Sequence, residues 1–163
     1  MYRDKEGKIR FDGSAWFKIA LFIIGIIIGF NLSQGINGKA AIWSEWNKAD
    51  WEDVRLLANV MYFENGNNTD EAILLTGSVV INRVKKGGWY PSTIKGVLYQ
   101  KNPVQYSTTG MFFTKPIPPK FYLMAIRLLM FGSIAPPNVL YQSRFHQGSG
   151  DYKIINGEYF CYE

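Results

Sequence analysis

From Asp50 onward the spacing of apolar positions changes three times along the chain, and each change marks an element. Val54, Leu57, Ala58 and Met61 recur at i, i+3, i+4 and i+7, the mark of one apolar helical face. Asp50 precedes them as a helix cap, with Glu52 and Asp53 in the positive first turn. Glu64 stands three residues beyond Met61 and seven beyond Leu57, so it continues the inward face. "NGNN" (65–68) then ends the helix, with Gly66 expected at positive φ. A second helix is predicted from Thr69 as cap through "DEAILLTGSVVINRVKK". It is apolar around most of its circumference, which makes it central, and Gly77 gives a neighbour room to approach. "GGWYPS" is a turn, "STIKGVLYQ" a short helix from Ser92 or Thr93, and "KNPVQYSTTG" a loop. Pro119 to Phe131 form a third substantial, strongly apolar helix. After Pro136 and Pro137 the pattern turns strand-like. "VLYQSRF" is followed by "YKII" and "EYFCYE", the last two joined by Asn156-Gly157, a type I′ hairpin signal. Helices first and a small antiparallel sheet last give an α+β domain over residues 51–163.

Before this domain lies a different pattern. Arg3, Lys5, Lys8 and Arg10 precede the apolar run "IALFIIGIIIGF" (19–30), and from Ala15 to Leu32 only Lys18 interrupts it. The short core fits a signal peptide; the longer count approaches the ~20 residues that span a bilayer. The expected organisation is a basic cytoplasmic tail (1–14), a transmembrane anchor or signal segment (15–34), a small-residue linker (35–50) holding Trp43 and Trp46, and the domain. Positive charge before the apolar run orients residues 41–163 away from the cytoplasm. The product is then membrane-held and facing the cell wall, or secreted if "GKAA" is cleaved.

Charge and cysteine content narrow the partners. Of 18 basic and 13 acidic side chains, six and three fall in residues 1–40, so the tail supplies more than its share of the net charge of +5. The domain has no basic stripe for nucleic acid; Arg83, Lys85 and Lys86 are its only close group. One cysteine, Cys161, allows no internal disulfide, and one Cys with one His excludes a zinc site made of those two residue types alone. No cofactor or resident metal is expected, and the domain is expected to act as a monomer.

Among ionisable residues Glu64 is the candidate for chemistry. A carboxyl at a helix end, on the apolar face and beside Tyr62 and Phe63, is pushed toward its neutral form and suits a general acid. The bland alternative is a helix-end Glu that swings to solvent or pairs with Arg83. Asp50, Glu52, Asp53, Asp70 and Glu71 are helix-start charges; Asp151 and Glu158 fall in predicted turns. His146 could line a cleft. Cys161 alternates within a terminal strand as a core residue, and nothing in its surroundings marks an activated thiol.

Five segments in order resemble the SleB/CwlJ-type cell-wall hydrolases of spore-cortex-lytic enzymes, other bacterial wall hydrolases and phages. They are Leu57-Ala58 through Glu64, Val79 through Val84 with Asn82-Arg83, Tyr90-Pro91 to Tyr99-Gln100, Gln105-Tyr106-Ser107, and the closing "LYQSRFHQGSGDYKIINGEYFCY". The likeness covers about residues 53–162. It departs at the loop after Glu64, where the family's "EARGE" is replaced by Glu64-Asn65-Gly66-Asn67-Asn68 and the second acid is missing. The resemblance implies a lysozyme-like, transglycosylase-type domain that cleaves peptidoglycan glycan strands, with Glu64 as catalytic acid/base. It implies sugar-binding roles for Asn82, Arg83, Tyr90, Gln105, Tyr106 and Ser107. By residue type alone Asn82 could equally be a helix C-cap, Arg83 a surface charge and residues 105–107 plain loop. Asn65, Asn67 and Asn68 could bond sugar hydroxyls. No second carboxylate stands out beside Glu64, which fits a lytic transglycosylase, where the sugar's own hydroxyl attacks. The alternative is a membrane-anchored, non-catalytic peptidoglycan-binding protein.

Overall fold

The computed structural model describes residues 48–163, with the backbone of Tyr2–Arg3 and Ile9–Arg10. The chain divides into two units, Met1–Trp46 and Asn47–Glu163. In the first, β1 (Tyr2–Arg3) pairs antiparallel with β2 (Ile9–Arg10), within the segment expected to be a plain basic tail. The apolar segment 15–34 and Trp43 and Trp46 lie outside the described residues. Among the described residues no helix is long and apolar enough to cross a membrane.

The second unit is α+β, as its sequence pattern predicts. Helix α1 (Lys48–Asn65) starts three residues early, which puts Asp50 in its first turn rather than at its cap. Val54, Leu57, Ala58 and Met61 are all fully buried. Gly66 does not take a positive φ. Its backbone N–H donates to Tyr62 O at 3.0 Å, and a Cβ there would stand 2.3 Å from that oxygen. Glycine is needed at this position for closeness, not for handedness.

Helix α2 (Asp70–Lys86) is capped by Thr69, whose hydroxyl accepts from Ala72 N. Every residue from Ala72 to Arg83 is buried, the central helix that its apolar circumference predicts. At Gly77 a Cβ would meet Leu128 Cδ1 at 2.5 Å and Met61 Sδ at 2.8 Å, so two other helices close on α2 there. Helix α3 (Ile94–Leu98) is capped by Thr93. The following loop holds a 3₁₀ turn (Ser107–Met111), and α4 (Pro119–Phe131) has the predicted bounds.

Strands β3 (Val139–Ser143), β4 (Gly150–Ile155) and β5 (Glu158–Tyr162) form an antiparallel sheet in the order β3-β5-β4. Asn156 and Gly157, at φ 50° and 79°, make the predicted two-residue turn. Asp151 and Glu158 therefore belong to strands, not to turns as their sequence surroundings suggested. Ala72, Leu75 and Val79 of α2 pack with Ala135, Val139 and Phe160 beneath the sheet. Burying a side chain such as Phe160 contributes about 1.5–3 kcal/mol. Polar ties fix the register of helix on sheet: Asn82 Nδ2 donates to Pro136 O (2.8 Å) and Val139 O (3.1 Å), and Arg83 Nε to Leu140 O (2.8 Å).

Candidate active site

Glu64 lies in the last turn of α1 and is half-buried. Its Oε1 accepts a 2.5 Å hydrogen bond from the Thr108 hydroxyl, contributed by the 3₁₀ turn. Burial raises its pKa above the ordinary carboxylate value. The hydrogen bonds from Thr108 hold it down in part, and the charge of Glu158 raises it further. The acid is thus biased toward its protonated form by desolvation, with a hydroxyl fixing one oxygen.

The carboxyl opens into a polar pocket of about 250 Å³. Arg83 enters from α2, Gln105 and Tyr106 from the loop before the 3₁₀ turn, Gln142 to Arg144 from the end of β3, and Glu158 from the start of β5. Glu158 is buried. It is ion-paired with Arg144 (Nε to Oε2, 3.1 Å) and accepts from Gln142 Nε2 at 3.0 Å. Arg83 is also buried, its guanidinium 5.3 Å from the Tyr106 ring centre and 5.6 Å from that of Tyr90. Burial raises the pKa of both tyrosines, so each hydroxyl keeps its proton. Arg83 Nη1, Tyr106 OH and Gln142 Oε1 are buried without a protein partner. All three belong to residues that line the pocket, and buried polar groups are normally paired.

No known protein family, curated protein or solved structure matches the chain.

The pocket gathers four of the residues singled out in the sequence: Glu64, Arg83, Gln105 and Tyr106. The others stand elsewhere. Asn82 is committed to the Pro136 and Val139 carbonyls, where it ties α2 to β3. Tyr90 is buried behind Arg83, stacked on Trp89 at 4.3 Å. Ser107 begins the 3₁₀ turn and does not line the pocket. His146 faces Asp151 instead (Nδ1 to Oδ1, 2.7 Å). Cys161 donates to the same carboxylate at 3.2 Å. Burial raises the Cys161 thiol pKa and Asp151 raises it further, the reverse of what a thiolate nucleophile needs.

Two asparagines of the loop, Asn65 and Asn68, are tied into the internal framework. Asn65 is buried and its Nδ2 donates to Thr76 Oγ1 at 3.2 Å; its Oδ1 accepts from Asn68 Nδ2 at 2.9 Å. Asn68 Oδ1 in turn accepts from Thr69 N and from Asn156 Nδ2, both at 2.8 Å. This chain of amides fastens the turn that immediately precedes Glu158. Asn67, between them, is exposed.

Gln142, Ser143, Arg144 and Glu158 line the pocket, and Thr108 holds the Glu64 carboxyl from beside it; the sequence pattern singled out none of them. Glu158 carried a usable signal: it follows the Asn-Gly turn and is two residues from buried Phe160, so alternation along a strand aims it inward. A second groove of about 300 Å³ along the first half of α1 holds Trp51, Arg55, Tyr99 and Phe113. Its one carboxylate, Glu52, is paired with Lys95.

Proposed function

We propose that this chain cleaves the glycan strands of peptidoglycan outside the cytoplasmic membrane, with Glu64 as general acid. The observation that carries the proposal is a helix-end carboxyl with a raised pKa that lines one polar pocket together with a strand-borne carboxylate. An acid and a carboxylate in one polar pocket suit glycoside cleavage, which agrees with the resemblance to SleB/CwlJ-type hydrolases. In this reading residues 15–34 anchor the domain at the membrane or direct its export, and the domain faces the wall.

Glu64 protonates the glycosidic oxygen as the bond to the anomeric carbon breaks. Glu158, clamped by Arg144 and Gln142, presents negative charge to the positive charge developing at that carbon. The C6 hydroxyl of the muramic residue then bonds to the anomeric carbon and returns its proton to Glu64. The product is a 1,6-anhydro end, and no water is consumed. In this reading Arg83 and Tyr106, which line the pocket, are the donors to a sugar or acetamido oxygen.

Glu158 also favours a second reading. With a second carboxylate in the pocket, water can attack instead, giving a reducing muramic end heavier by one water. Digestion of purified sacculi followed by product mass measurement decides. Anhydro ends support the intramolecular route and reducing ends the hydrolytic one. In both, the Glu64→Gln protein should leave sacculi intact. If the wild-type protein binds sacculi and cuts nothing, the domain is a glycan-binding protein and the proposal fails.

A further inference from the structure

We propose that His146, Asp151 and Cys161 form a binding site for one divalent ion of the zinc class, separate from the Glu64 pocket. One ligand atom from each side chain lies within 4.8 Å of the other two. Zinc bonds sulfur at about 2.3 Å and nitrogen or oxygen at about 2.0–2.2 Å, so ligand atoms on one tetrahedral ion stand roughly 3.3–3.8 Å apart. The three atoms are already gathered on that scale. Asp151 Oδ1 is 2.7 Å from His146 Nδ1 and 3.2 Å from Cys161 Sγ. Small side-chain rotations exchange these two hydrogen bonds for bonds to a metal, and the thiol proton leaves to solvent. A sulfur, an imidazole and a carboxylate match a borderline ion; magnesium and calcium call for oxygen alone.

The backbone supports the cluster from two sides. Asp151 and Cys161 are cross-strand partners on β4 and β5, next to a register shift in that ladder. His146 comes from the β3–β4 connection, which folds back onto the end of β5. Ser149 N donates to Tyr162 O at 3.2 Å, and Gly148, at φ 64°, lies so near that oxygen that a Cβ would stand 1.9 Å from it. Cys161 is fully buried, whereas the His146 and Asp151 side chains are 54% and 32% exposed. An ion thus has a rigid sulfur at the back and an open front, and three protein ligands leave a fourth position for water. Bound there, it would clip the β3–β4 connection to the strand that also carries Glu158. A single Cys and a single His rule out only a site built from those two residue types; the carboxylate completes a different donor set.

The chain contains one cysteine and one histidine, which makes the test unambiguous. The full-length, tag-free protein, stripped with chelator, is titrated with Co²⁺. The expected result is a thiolate-to-cobalt charge-transfer band that saturates at one equivalent and is displaced by Zn²⁺. His146→Ala and Asp151→Asn, both at exposed side chains, should weaken it by on the order of tenfold or more. Cys161→Ser should abolish it. Because Cys161 is buried, a second measurement stands beside that variant: Zn²⁺ should raise the thermal midpoint of the wild type and not that of folded His146→Ala. Absence of the band, a band indifferent to His146→Ala and Asp151→Asn, or equal thermal shifts in wild type and His146→Ala would overturn the proposal.

Discussion

Replacing Asn68 by alanine should destabilise the domain far more than the same change one residue earlier. The Asn68 side chain is the middle of the amide chain from Asn65 to Asn156. Its loss leaves Asn65 Oδ1, on a residue only 4% exposed, without its donor at 2.9 Å. A buried acceptor stripped of its partner costs about 1–3 kcal/mol. The bonds lost at Thr69 N and Asn156 Nδ2 are exposed, and water replaces them at little cost. Asn67 is exposed in the same loop, so Asn67→Ala should stay within about 0.5 kcal/mol of wild type. Urea unfolding of the three proteins, with unchanged slopes, measures both differences. On sacculi Asn68→Ala should also be slower, because the turn next to Glu158 has lost its fastening. If Asn68→Ala and Asn67→Ala unfold at the same urea concentration, the amide chain does not hold the loop to the hairpin.

Three further predictions concern the acid. Glu64→Gln should lower cleavage by on the order of 10²–10⁴ while keeping the acceptor for Thr108. The folded protein holds the Glu64 proton over a pH range in which the unfolded chain has released it. Glu64 therefore favours folding in acid and loses that contribution as pH rises through its raised pKa. Glu64→Gln should accordingly be the more stable protein at neutral pH, with the advantage fading in acid; equal pH–stability curves would contradict this. Thr108→Val removes a hydrogen bond that lowers the Glu64 pKa, so the alkaline limb of the cleavage profile should move to higher pH. A limb that stays in place would mean that another group sets it.

The helices were legible because each has a local signature. Thr69 and Thr93 cap where their sequences say, and the bounds of α4 follow from Pro119 and Gly132. Glu64 was found by the same periodicity that buries Met61. What could not be read locally was the far wall of the pocket. Glu158 comes to line the same pocket as Glu64 because α2 is tied to β3 through Asn82 and Arg83, and β5 pairs with β3. Likewise the asparagines after Glu64 look free for a ligand until Asn156 is placed against them. Asn82 itself was assigned to the cleft by resemblance, yet two carbonyls occupy its amide.

The order β3-β5-β4 has a consequence for the time at which the pocket comes into being. During synthesis β3 and β4 leave the ribosome before the strand that must lie between them. Until residues 158–162 are made, neither has its ladder partner and Phe160 is absent from the face of α2. Helices α1, α2 and α4 can gather earlier around Gly77, since helices close local contacts quickly. Glu64 is then in place while the pocket's second carboxylate does not yet exist. The pocket is completed only when β5 is made, so a growing chain carries the acid without the site.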